Sequence, residues 1–150
     1  MLSRDKQGSK QRLRLWIHLL RATRRSENHM REYLRVNHET TLPRFDVMAT
    51  LYRHSDGMMM TELSRMLLVS NGNATAVVDR LIKDGLVRRR VPKADRRSVM
   101  VTLTAKGLKT FETWAIDHER EVATQFSEIN DADAEAMIAM LKRLSRKDEH

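Results

Sequence analysis

The residues with the most to offer chemically lie between Arg88 and Arg97. Within those ten positions Arg88, Arg89, Arg90, Lys93, Arg96 and Arg97 surround a single acid, Asp95. Cations at that density suit contact with phosphates and entry into a narrow minor groove, where the potential draws arginine in. Charge alone would equally describe a solvated turn. Asp95 would be a poor choice if only charge mattered; it is better explained as a hydrogen-bond partner that holds Arg97, or the loop, in one geometry. A second set precedes it: Ser70, Asn71, Asn73, Thr75, Ala76 and Arg80. Asparagine can pair with adenine edges in a major groove, and threonine can donate, accept or pack its methyl on thymine. Asn71 and Asn73 would also serve simply to shape the turn before a helix.

The element that must carry this second set is a helix over about residues 71–84. Ala74, Val77, Val78 and Leu81 recur on one side, leaving Thr75, Ala76, Asp79, Arg80 and Lys83 elsewhere. Val69-Ser70-Asn71-Gly72 reads as a tight turn with Ser70 or Asn71 as cap, and Gly85 stands where a glycine ends a helix. A short helix before the turn, with Thr61 as a plausible cap, holds Leu63, Met66 and Leu67 inside. After Gly85 the period changes from helical to alternating. Residues 86–91 and 99–103 read as the strands of a β-hairpin, and 92–98 as its polar loop. Two short helices, a tight turn and then a hairpin form a winged helix-turn-helix, whose second helix enters the major groove.

The flanks are helical. Leu13, Trp16, Ile17, Leu20, Met30, Tyr33 and Leu34 form a stripe over residues 11–38, interrupted by a polar interval at 23–29. That pattern predicts a helix packed at both ends, with a second subunit as one possible partner. A helix opens at Leu42-Pro43 and ends at residues 54–57. Thr104 caps a long helix through Phe111, Trp114 and Phe126. Asn130 or Asp131 caps the last, whose apolar side is Met137, Met140, Leu141 and Leu144. The expected fold class is mostly α with a small β-hairpin, as one unit over residues 1–150.

Composition narrows the function. The net charge is +8, which favours an anionic partner such as nucleic acid, although surplus arginine also simply solvates helices. Residues 1–40 carry ten Lys/Arg against four Asp/Glu and residues 41–103 eleven against six, whereas residues 104–150 carry seven against ten. The absence of cysteine excludes disulfides, thiolate metal sites and thiol redox sensing. Ten methionines at helical spacing read as gap-filling core. His118-Glu119 supplies too few ligands for zinc, so neither a metal nor a cofactor is expected. No apolar run reaches a membrane span and no secretory leader is evident, so the expected place is the cytoplasm. No phosphate-binding glycine loop, nucleophile constellation or carboxylate pair suggests an enzyme.

Residues 63–107 resemble the multiple-antibiotic-resistance regulator (MarR) family. The resemblance is carried by Val69-Ser70, Val78-Asp79-Arg80-Leu81 and Asp84-Gly85-Leu86-Val87, then by the D-x-R-S wing Asp95-Arg96-Arg97-Ser98 and by Val101-Thr102-Leu103-Thr104-Ala105-Lys106-Gly107, the V-x-L-T-x-x-G junction. Each motif is weak alone; their ordered spacing is specific, and the helix order outside them also agrees. The resemblance implies a homodimeric regulator, usually a repressor, on a pseudo-palindromic operator in double-stranded DNA. It assigns dimerisation to residues 11–38 and 106–147 and the winged helix to residues 43–103. It implies that Arg97 enters the minor groove while Asp95 orients it, with Arg96 on a phosphate. Relatives often carry arginines where this chain has Asn71-Gly72-Asn73 and Ala76, so an operator richer in A·T is expected there. The resemblance further implies an effector, an aromatic or phenolic acid or its acyl-coenzyme A thioester, bound between dimer region and reading head. Candidate lining residues are Trp16, Leu20, Phe45, Met48, Tyr52, Phe111 and Trp114, with His18 or Arg44 for a carboxylate; each aromatic would equally be ordinary core. The basic N-terminal segment suits either DNA phosphates or an anionic ligand tail. A ligand-independent architectural protein, or one controlled by a protein partner, is the alternative.

Overall fold

A computed structural model describes residues 2–67, 73–91 and 98–146, with side chains from residue 6 onward. Helix α1 spans Leu2–His38, 37 residues, or about 55 Å at the usual rise. The polar interval at 23–29 does not break it, because charged and amide side chains are tolerated on a solvated helix face. The expected packing at both ends is found at one end only within this chain. Met30 and Leu34 are buried, whereas Leu13, Leu15 and Trp16 are each more than half exposed.

Helix α2 (Leu42–Tyr52) is the hub of the core. The Thr41 side chain accepts from the Arg44 backbone N–H at 3.3 Å, and Pro43 sits in the first turn, where its missing N–H costs nothing. Leu42, Phe45, Val47, Met48 and Leu51 are all buried. Full burial of such side chains contributes roughly 1.5–3 kcal/mol each, so α2 anchors everything packed on it.

Strand β1 (Met58–Met59) was not expected. It pairs antiparallel with β3 (Met100–Leu103), which in turn pairs with β2 (Val87–Arg90), giving a sheet of order β1-β3-β2. The hairpin read from the sequence is therefore two strands of three. A two-residue strand is too short to show alternation, which is why the sequence conceals it. Helix α3 (Met60–Met66) starts directly from β1, with Met59 at the N-cap and no side-chain cap, so Thr61 does not cap it. Leu63 is fully buried, but Met66, expected inside, is 49% exposed.

Helix α4 (Ala74–Lys83) begins after Asn73, whose side chain accepts from the Ala76 N–H at 3.4 Å. The cap is thus Asn73, and not Ser70 or Asn71, which lie outside the described residues. Val78 and Leu81 are buried. At its end Gly85 takes φ +76. The Gly85 N–H donates to Ile82 O (3.0 Å) and the Leu86 N–H to Leu81 O (2.9 Å), the double closure that a left-handed glycine permits.

Helices α5 (Ala105–Gln125) and α6 (Asp131–Ser145) complete the chain, capped by Thr104 and Asn130 respectively. Helix α5 contributes Phe111 and Trp114 to the core. Helix α1 runs beside it, joined by the His29–Glu121 hydrogen bond and by His38 Nε2, which lies 2.9 Å from Asp117 Oδ2 but off the line of a hydrogen bond. Helix α6 buries no residue against its own chain.

Candidate nucleic-acid interface

The exposed side of α4 carries Thr75, Ala76, Asp79, Arg80 and Lys83. Burial of Val78 and Leu81 on the opposite side fixes this presentation, since a rotation of α4 would expose both. Arg80 has no hydrogen-bond or ion-pair partner among the described residues, and Lys83 is exposed beside it. Asn73 uses its Oδ1 as the helix cap, so the turn-shaping role weighed for it is realised, with its amide left exposed at the head of α4.

Strand β2 sets the wing against this helix. Val87 is buried, and Arg88, Arg89 and Arg90 are exposed. Alternation places Arg89 on the face of Val87, and Arg88 and Arg90 on the other. The Arg89 guanidinium accordingly reaches back to the Asp79 carboxylate on α4. One arginine of the basic run thereby serves to tie wing to helix, while Arg88 and Arg90 stay directed elsewhere. This contact escapes a reading of the sequence because ten residues and two elements separate the partners. Only the packing of β2 on α4 brings them together.

Lys93, Asp95, Arg96 and Arg97 lie outside the described residues, as do Ser70 and Asn71. Asn73, Thr75, Ala76 and Arg80 share the head and exposed side of α4, whereas Arg88 is exposed on the face of β2 turned away from the Arg89–Asp79 contact.

The junction behind α4 is rigid for identifiable reasons. The Thr104 hydroxyl donates to Gly85 O at 2.7 Å and accepts from the Gly107 N–H at 3.0 Å. The Thr104 N–H donates to Leu86 O, and Lys106 Nζ to Asp84 O, both at 3.0 Å. A Cβ at Gly107 would lie 2.0 Å from Leu86 O, so only glycine lets α5 approach this closely. The end of α4 is therefore fastened to the start of α5, and the V-x-L-T-x-x-G motif is the fastening.

The residues named as ligand candidates do not form one pocket within the chain. Phe45, Phe111 and Tyr52 make a ring cluster, with centroids 5.4 Å apart for Phe45–Phe111 and 5.0 Å for Tyr52–Phe111. His118 stacks on Phe45 at 4.2 Å, and burial lowers its pKa from the ordinary value. Met48 and Trp114 are buried in the same core. Leu20 and Trp16 lie farther along α1, with Leu20 about 21 Å from Leu34 by the helix rise. His18 instead lines a separate cavity of about 480 Å³ between the middle of α1 and the end of α5. Arg44, proposed for a carboxylate, lies 3.8 Å from Asp84 at the end of α4.

No described helix is long and apolar enough to cross a membrane, and no described group of His, Asp and Glu could hold a metal ion. The MarR family model matches residues 40–99. The transcriptional regulator MhqR of Bacillus subtilis is 30% identical over 132 residues, covering 88% of this chain and 90% of that protein. A MarR family regulator from Silicibacter pomeroyi is 34% identical, with a TM-score of 0.79 over 93% of this chain and 96% of the other. BpsR of Bordetella bronchiseptica, whose DNA binding is regulated by 6-hydroxynicotinic acid, shares the fold at 23% identity, with a TM-score of 0.76 over 88% of this chain and 98% of its own. On these likenesses over most of its length, this chain belongs to the MarR family of DNA-binding transcriptional regulators.

Proposed function

We propose that the chain acts in the cytoplasm as a homodimeric repressor of a pseudo-palindromic operator, released by a small aromatic or phenolic acid or its acyl-coenzyme A thioester. The observation that carries the dimer is α6. None of its residues is buried, yet Met137, Met140, Leu141 and Leu144, which share one side of the helix, are each 42% exposed or more. The outer half of α1 repeats the pattern with Leu13, Trp16 and Ile17 on one side. Two amphipathic faces without a partner in their own chain mark an interaction site, and residues 11–38 and 106–147 are the dimerisation segments in this reading. Residues 43–103 form the reading head.

In this dimer the two α4 helices enter successive major grooves, about 34–36 Å apart. Asn73, Thr75, Ala76 and Arg80 face the duplex from α4, joined by Ser70 and Asn71 ahead of it. Arg88 and Lys93 contact backbone phosphates, Arg96 adds another, and Arg97, oriented by Asp95, enters the minor groove. The wing residues from Lys93 onward rest on the sequence resemblance. Fastening of α4 to α5 supplies the coupling, because a ligand that repositions α5 alters the spacing of the reading heads. Regulation of BpsR by 6-hydroxynicotinic acid supports an aromatic acid as effector.

Operator selected from random DNA, measured by fluorescence anisotropy with and without aromatic acids and their coenzyme A thioesters, tests the proposal. Release by one of them at micromolar levels supports a metabolite-responsive repressor. Tight binding unaffected by any of them favours the architectural or partner-controlled alternative. Arg97→Ala should weaken the complex by about 1–3 kcal/mol, roughly 5- to 150-fold, and lower its salt dependence. Near-wild-type binding by that variant would remove Arg97 from the interface.

A further inference from the structure

The chain contains ten methionines and no cysteine, so thioethers are its only sulfur. Met48 and Met58 are buried and fill gaps in the core. Met59 and Met100 do not, since both are only half-buried, on β1 and β3. They are register partners across those strands, and Arg90 of β2 is the next residue in the same row. Side chains paired in this way stand on one face, with Cβ atoms about 4.5–5.5 Å apart. Alternation puts that face opposite the one that carries Met58 and Val101 into the core. The two thioethers therefore lie side by side on the outer face of the sheet.

This row sits where the winged helix is most lightly held. Strand β1 has two residues and lies at the edge of the sheet. Beyond its pairing with β3 the Met60 N–H donates to Val99 O at 3.2 Å. Helix α3 begins at Met60 with no side-chain cap, so the position of β1 fixes where α3 starts. Met59 and Met60 also line a crevice of about 270 Å³, shared with Thr75 of α4 and Arg89 of β2. Met59 thus stands where β1, α4 and β2 converge, within reach of a small inorganic oxidant.

Oxidation to the sulfoxide makes a flexible apolar side chain polar, and the new oxygen accepts hydrogen bonds. Arg90, beside Met100 in the row, has no hydrogen-bond or ion-pair partner among the described residues. Its guanidinium supplies the donors that a sulfoxide oxygen needs. An arginine turned onto the sheet is withdrawn from any phosphate it would otherwise meet. Two sulfoxides side by side also replace an apolar cross-strand pair that helps to hold β1 on β3.

We infer that Met59 and Met100 form an oxidation site, converted to sulfoxides by hypochlorous acid, which loosens β1 and the start of α3 and lowers affinity for operator DNA. The sulfur attacks the chlorine of the acid and hydroxide leaves. Water then displaces chloride from sulfur and gives up both its protons, one of which neutralises the hydroxide. The thioether loses two electrons, the chlorine gains them, and the products are the sulfoxide, chloride and one proton. A dithiol reverses the change, becoming a disulfide as the oxygen leaves as water. The effect on DNA rests on the operator-binding function proposed above; the oxidation itself does not.

Stepwise addition of hypochlorous acid to the full-length chain tests the site, with sulfoxides mapped by peptide mass spectrometry and operator binding followed by anisotropy. Met59 and Met100 should oxidise while the buried Met48 and Met58 stay reduced, and affinity should fall about tenfold or more. Methionine sulfoxide reductase should restore it. Met59→Leu together with Met100→Leu conserves volume; before oxidation it should bind operator within about twofold of wild type, and it should keep that affinity afterwards. Met66→Leu removes a more exposed sulfur, 49% exposed on α3, and should protect nothing. Met59 and Met100 that stay reduced, or a loss of affinity that persists in the double variant, overturns the inference. A reduced chain that binds no operator sinks the function proposed above. The oxidation site is then judged by melting, where hypochlorous acid should lower the wild-type midpoint more than that of the double variant; equal shifts overturn it.

Discussion

The two halves of this molecule solve burial differently. Between α2 and β3 most apolar residues are used internally: Val47, Met48, Leu63, Val78, Leu81 and Val101 have no measurable exposure. In α6 and the outer half of α1 the same residue types lie open, with Trp16 57% and Leu144 61% exposed. Composition is not the difference, since both halves carry leucine and methionine at helical spacing. Closure is the difference. The region from α2 to β3 folds its elements onto α2, whereas no described residue of α6 is buried against its own chain. The first region is built as a core, and in the function proposed above the second is half of one that a second copy completes.

The largest test of that contrast separates the halves by charge. Met137→Glu together with Leu141→Glu places two carboxylates on the apolar side of α6. Unpaired charges in an apolar contact cost several kcal/mol, so dimer dissociation should rise by at least about 100-fold. Sedimentation should then find a monomer, while the circular dichroism of the helices persists, because no α6 residue belongs to the core. A dimer of unchanged stability would show that α6 is not part of the interface.

Gly107→Ala strikes the boundary between the two halves. The added methyl meets Leu86 O at 2.0 Å, and overpacking of this kind costs about 1–3 kcal/mol. Denaturant melts should report that loss. Operator affinity should fall further than stability alone requires, because α4 is fastened to α5 at this point. An alanine variant as stable as wild type would mean that the junction yields easily and cannot transmit position.

His118 offers a smaller effect, read as a pH dependence. Burial lowers its folded pKa below the ordinary value of 6.5, so below that value the unfolded chain binds the proton more readily. Stability is then complete above pH 6.5 and falls as the pH drops toward the folded value, below which the loss levels off. His118→Gln should flatten that part of the melting-temperature profile. An unchanged slope would assign the dependence to another group.

Much of this was legible beforehand because the signals are local. Gly85, Thr104 and Asn130 announced helix ends through residue types that suit caps, and the basic run with its β-rich partner announced the hairpin. What escaped the sequence was either too short or too distant. Strand β1 has two residues and no period. Asn73 displaced Ser70 and Asn71 as the cap because several adjacent polar residues could each fill that role. Trp16 and Phe45 share a residue class but not a place, since helix rise separates what composition groups together.

The smallest test concerns the tie between Asp79 and Arg89. Both side chains are substantially exposed, 55% and 37%, and exposed ion pairs contribute only about 0.2–1 kcal/mol. Asp79→Asn should therefore barely move the denaturation midpoint. Its effect should appear in binding, where two consequences compete. Removing an acid from the exposed side of α4 strengthens attraction to phosphates and steepens the salt dependence. Releasing Arg89 lets β2 and its wing move relative to the helix, which weakens any contact that needs both at once. Affinity for random duplex should rise while the ratio of operator to random binding falls. A rise in both together would mean that Arg89 ties nothing that recognition uses, and that the reading head keeps its shape through its core alone.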